Sequence, residues 1–144
     1  MFKKILVPVD IDYPDIAAAV YGKAEELAAL CGAQIRLVGI LPGFGMPIVG
    51  SFITETLVRQ VNDKFKQALE AFIKDHCGKT VTYAIRTGKH WEQIIDAAGK
   101  WEADLIVVYH NRRVDVNEAF SNACAQRVAE HAPCSVLRLR QLPI

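Results

Sequence analysis

Two clusters of ionisable side chains follow apolar runs in this chain. After "KKILVPV" come Asp10, Asp12 and Asp15, in the order "DIDYPD". After "DLIVV" come Tyr109, His110, Asn111, Arg112 and Arg113. Guanidinium groups pair well with phosphate, so Arg112 and Arg113 can contact an anion directly, or can stand as a solvated pair on a loop. Asp10 can serve a ligand or can order the backbone N–H groups of the turn after its strand. Asp12 and Asp15 suit the start of a helix, because acids favour a helix N-terminus and Pro14 occupies a natural first helical position. His110 has the chemistry of an acid or base. No serine or cysteine nucleophile is placed beside it by any motif, so it reads as a surface histidine. Tyr109 reads as a plug over a site or as a stacking surface. Phosphate binders of α/β type commonly place glycines where a strand runs into a helix. The turn from Tyr109 to Arg113 contains none.

The elements that would position these residues follow from apolar patterning. "KKILVPVD" is a short apolar run of the kind buried on both faces of a sheet. Residues from about Pro14 to Leu30 carry Ile16, Val20, Ala24, Leu27 and Leu30 at helical spacing, and Gly32 ends them. "AQIRLVGIL" is a second strand, and "PGFGMPIVG" is a loop rich in glycine and proline. Ser51 is placed to cap a helix that runs to about Asp75, with Leu57, Val61, Phe65, Ala68, Leu69 and Phe72 on its apolar stripe. "VTYAIRTG" is a third strand. "HWEQIIDAAGKW" is a short helix with Trp91, Ile94, Ile95 and Ala98 inward. "DLIVVYH" is a fourth strand, residues Asn122 to His131 form a last helix, and "CSVLRLR" is a fifth strand. Trp91 and Phe65 read as core, and His131 as a structural residue whose charge suits a helix C-terminus.

Five alternations with right-handed crossovers give an α/β fold, a doubly wound open twisted sheet of five parallel strands with helices on both faces. The expected strand order is 3-2-1-4-5, within a single domain over residues 1–144. Ligands of such sheets bind beyond the carboxyl ends at the switch point, here between strands 1 and 4, where the two clusters lie.

Bulk properties bound the function. The chain has 144 residues, 51% hydrophobic and 23% charged, with a net charge of +1. That charge makes no case for nucleic acid or an anionic membrane as partner. The N-terminal apolar run is too short for a signal peptide or a membrane span. The four cysteines, Cys31, Cys77, Cys124 and Cys134, form no CxxC pair. They read as reduced cytoplasmic thiols, and no metal site is expected. A phosphoacceptor receiver needs an aspartate after strand 3, where the chain has "AIRTG". A flavin site needs a hydroxyl-rich loop after strand 1, where the chain is acidic.

"KKILVPVDID" near the start and "HAPCSVL" near the end, at this distance from strand 4, give the chain a resemblance to the universal stress protein family over nearly its whole length. The resemblance implies small cytoplasmic homodimers. One branch binds ATP through Gly-x2-Gly-x9-Gly-Ser/Thr after strand 4, and the other lacks the motif and does not bind ATP detectably. On this chain the motif positions fall on Tyr109, Arg112, Asn122 and Ala123, and all four depart from it. Two further family ATP contacts fall on Asp10 and Ile40. Asn122 suits a helix N-cap, which would occupy N–H groups that a phosphate uses. The expected function is therefore a non-enzymatic binding or scaffold protein in stress response, without tight ATP binding and with no cofactor. The alternative is a nucleotide or anionic small-ligand sensor using the cleft between strands 1 and 4. A homodimer through the fifth strand is expected over Val136, Leu137, Arg138 and Leu139, since an uncovered edge exposes unpaired backbone groups. An unidentified protein partner is also admitted.

Overall fold

Lys4–Val9 forms β1, and its residues Ile5, Leu6, Val7 and Val9 are at most 2% exposed. A strand this apolar on both sides has one stable place, the middle of a sheet covered on two faces. The computed structural model describes residues 1–41, 55–110 and 121–142. It contains α1 (Pro14–Cys31), β2 (Gln34–Leu41), α2 (Glu55–His76), β3 (Thr82–Thr87), α3 (His90–Trp101), β4 (Leu105–Tyr109), α4 (Asn122–His131) and β5 (Ser135–Leu139). The sheet order is β3-β2-β1-β4-β5 and every pairing is parallel.

Side chains alternate between two cores, as the pleat requires. Ile5, Val7, Leu37 and Val107 meet α1 and α2 through Ile16, Val20, Leu69 and Phe72. Leu6, Val38, Ile106 and Val108 meet α3 and α4 through Ile94, Ala98, Ala125 and Val128. Asp104 ties the first strand to the fourth at their N-terminal ends. Its carboxylate accepts from Lys3 N (2.8 Å) and Lys4 N (3.0 Å). Burial alone would raise this carboxyl, but the N–H donors of Lys4 and Lys3 outweigh it and hold the group below its ordinary value.

Several helix faces differ from their apolar spacing. Leu30 is 86% exposed, because it lies to the side of the stripe of Ile16, Val20, Ala24 and Ala28 that stays buried into the last turn of α1. Gly32 ends α1 at φ 69°, as expected of a left-handed cap. On α2 only Leu69 and Phe72 are buried, while Leu57 and Ala68 are exposed and Val61 and Phe65 are half-buried. Sheet contact thus covers the C-terminal part of the helix. On α3 the buried residues are Ile94, Ala97 and Ala98, and Trp91 and Ile95 are half-buried. Trp91 packs at the margin of that core against α4, with the His131 ring at 5.3 Å and the Arg127 guanidinium at 5.4 Å from its centroid. The expected loop after β2 and the Ser51 cap lie outside the described residues.

Candidate functional site

Pro8 sets the geometry at the switch point. Lys4 O accepts from Asp104 N (3.0 Å) and Lys3 O from Gln34 N (2.8 Å), so even-numbered residues of β1 face β4 and odd-numbered ones face β2. Pro8 is even, and it has no N–H to donate. The β1–β4 ladder stops at Leu6 with Ile106, whereas β1–β2 continues through Pro8 with Val38 to Val9 with Gly39. The two central strands are therefore free of each other at their carboxyl ends, where an open sheet takes ligands.

Asp10 and Ile40 come together there. With Ile11, Asp12, Leu41, Phe65 and His90 they line a cavity of about 220 Å³. Asp10 also orders its own turn, since its Oδ1 accepts from Asp12 N (3.0 Å) and its carbonyl from Tyr13 N (3.1 Å). Phe65 reaches the cavity over Gly39, which has no Cβ. An added one would lie 2.9 Å from Phe65 Cε1. Pro8, Phe65 and His90 escaped the sequence reading as site residues. The available signals were a proline inside a central strand, a glycine in β2 next to Ile40, and Gly88 at φ 138°, which turns β3 into α3 just before His90.

Tyr109 is 8% exposed and packs into the core shared with α1. It fills space beneath the strand ends and presents no open stacking face. His110 follows at half exposure, and its backbone N donates to Leu139 O at 2.6 Å. Arg112 and Arg113 lie outside the described residues.

Ser121, not Asn122, caps α4. The Ser121 hydroxyl accepts from Cys124 N at 3.0 Å, and Asn122 is the first helical residue and exposed. A serine one residue earlier fits the N3 N–H equally well, and a helix takes one cap. Ala123 lies in the first turn and borders a second cavity of about 300 Å³, with Lys89, His90, Trp91 and Arg127. His90 borders both cavities. An acidic recess at Asp10 and a basic one at Lys89 and Arg127 thus adjoin at one residue. Among the described residues no group of three or more His, Cys, Asp or Glu is arranged to hold a metal, and no helix is long and apolar enough to cross a membrane.

Residues 1–140 match the sequence profile of the universal stress protein family. The chain belongs to the universal stress protein family. A universal stress protein of Methanocaldococcus jannaschii is 27% identical over 145 residues, covering 98% of this chain and 84% of that protein. Among solved structures, the universal stress protein UspA from Lactobacillus plantarum is 24% identical, with TM-score 0.68 over 96% of this chain and 98% of that one. The universal stress protein from Archaeoglobus fulgidus in complex with dAMP is 20% identical, with TM-score 0.59 over 95% of this chain and 97% of that one. These likenesses agree with the five-stranded 3-2-1-4-5 sheet and its flanking helices.

Proposed function

We propose that this universal stress protein is a cytoplasmic, non-enzymatic binding protein of the stress response, dimeric through β5, that does not hold ATP tightly. The observation that carries the ATP part is at the last residue of β4, where the first motif position is Tyr109, with its ring in the core. Glycine would let backbone N–H groups approach phosphate there through its missing Cβ and its access to positive φ, and Tyr109 has a Cβ and no positive φ. Ala123 offers no hydroxyl, and Ser121 already occupies the Cys124 N–H. Calorimetry with millimolar ATP and magnesium should show no saturable heat. A dissociation constant of about 10 micromolar or tighter, on the order of −7 kcal/mol, would overturn the reading.

One observation favours a second reading, a sensor of a small anionic ligand such as a nucleoside monophosphate. The Asp10 cavity and the Lys89–Arg127 cavity meet at His90, so a ligand with a neutral polar part and one phosphate would find an acid for the first and cations for the second. The related A. fulgidus protein in complex with dAMP supports trying that class. Mass spectrometry of the purified protein after denaturation, followed by titration with dAMP, tests it. Absence of any nucleotide together with a flat dAMP titration would remove this second reading and leave the first.

A further inference from the structure

A third recess lies at the opposite end of the molecule, where α1 and α2 finish and β2 begins. It measures about 190 Å³, room for about six waters at liquid density or one short hydrocarbon chain. Ala28, Ala33, Ile35 and Val81 form its apolar wall. Its polar groups are the hydroxyl of Tyr21, a residue only 3% exposed, and, at its open side, the exposed residues Glu25 and Thr80.

The hydrogen-bond inventory of this recess is one-sided. Tyr21 donates its only O–H to Glu25 Oε2 at 2.6 Å and accepts from Gly78 N at 3.1 Å. Both of those donors are therefore spent. Beside the Thr80 hydroxyl, which can turn either way, what remains is acceptor capacity: the other lone pairs of the Glu25 carboxylate and the second lone pair of Tyr21. The carboxylate is also uncompensated. Among the described residues no cation stands within ion-pair distance of Glu25, and nearby Lys23 is paired with Glu26 at 3.6 Å. The charge is felt locally. Burial, then Glu25, pushes the Cys77 thiol up to about 11, and burial, then the Glu25 hydrogen bond, pushes Tyr21 up to about 12.

We propose that this recess is a binding site for a small organic monocation, a primary ammonium on a short apolar chain, held by Glu25 and Tyr21 at its head and by Ala28, Ala33, Ile35 and Val81 along its body. An ammonium supplies three donors and one positive charge, which is what the recess lacks. Water satisfies the acceptors but not the wall, and a metal cation satisfies the charge but leaves the wall wet. The site is remote from the Asp10 cavity and does not depend on the function proposed for it.

The test is titration of the full ¹⁵N-labelled chain with n-butylammonium chloride, followed at the Gly78 and Val81 amides. The expected result is saturable movement of both, with half-saturation near or below about 10 mM, a plausible scale for five non-hydrogen atoms. Butan-1-ol should bind at least about tenfold more weakly, a factor that ion pairing and charge-assisted hydrogen bonds readily supply. Glu25→Gln, which keeps an acceptor for Tyr21 on an exposed helix face, should weaken butylammonium by a similar factor. Three results would overturn the proposal: no saturation up to about 100 mM, equal binding of butan-1-ol, or an affinity unchanged in Glu25→Gln. Equal shifts from ammonium chloride would also overturn it, since the apolar wall would then play no part.

Discussion

Gly39 and Phe65 give a direct test of how the cleft is built. An added Cβ at Gly39 would lie 2.9 Å from Phe65 Cε1, 3.0 Å from Cζ and 3.4 Å from Leu69 Cδ2. Gly39→Ala carries two opposed effects. Reduced freedom of the unfolded chain stabilises by about 0.4–1 kcal/mol at a position whose φ an alanine can adopt. Overpacking costs about 1–3 kcal/mol, here about 1.5 kcal/mol because the obstructing atoms are the far end of a half-buried ring that can swing. The net should be a loss of about 1 kcal/mol, near 3 °C in melting temperature for a chain of this length. In a Phe65→Ala background the obstruction is gone, so Gly39→Ala should stabilise by about 0.5 kcal/mol. The sign reverses, and the coupling across the double-mutant cycle is about 1.5 kcal/mol. Urea unfolding of the four proteins measures it. Additive effects within about 0.3 kcal/mol would show that Phe65 does not rest on Gly39, and with it the wall of the Asp10 cavity would be wrongly drawn.

Ser121→Ala should cost about 1 kcal/mol by removing the α4 cap, while Asn122→Ala should be nearly neutral; thermal melts of the two separate the assignments. Asp104 has a lowered carboxyl in the folded state, so its contribution is complete above the unfolded value of about 3.9 and is lost as pH falls through the folded value. Asp104→Asn should therefore be less stable than the parent by about 1 kcal/mol at pH 7, and urea midpoints of the two should converge in acid. Val136→Pro removes a backbone donor from β5 and should shift the protein from dimer to monomer in light scattering while its circular dichroism is retained. A monomeric parent at tens of micromolar would count against the β5 dimer.

Most of the sheet was legible because its strands are continuous apolar runs between turn signals, and burial on both faces leaves such runs no other place. The helix faces were less legible. Leu30 and Ala68 sit three residues from other apolar positions yet are exposed beside buried Ala28 and Leu69, since spacing says which residues lie near one side of a helix and not where the edge of the buried stripe falls. The cap of α4 was misplaced by one residue because serine and asparagine are neighbours and both are good caps. Asp10 and Ile40, named from strand order and family resemblance, line one cavity. Phe65 was missed because its role depends on a helix crossing Gly39 from 26 positions away, which no local pattern records.

The proline that ends the β1–β4 ladder also bears on how the chain is made. β2 is complete at residue 41, and β4 begins about 60 residues later, at Leu105. At ribosomal rates of about 5–20 residues per second, the side of β1 that awaits β4 stands open for roughly 3–12 s. An open row of donors and acceptors on a strand buried on both faces in the finished protein invites pairing with a second nascent chain. Pro8 interrupts that row on the waiting side only, because its missing N–H faces β4 and not β2. A fragment ending before Leu105 should aggregate faster with Pro8→Val than with the parent residue, as read by turbidity, and equal rates would speak against this role. The residue that leaves the cleft open in the finished protein thereby guards the unfinished one.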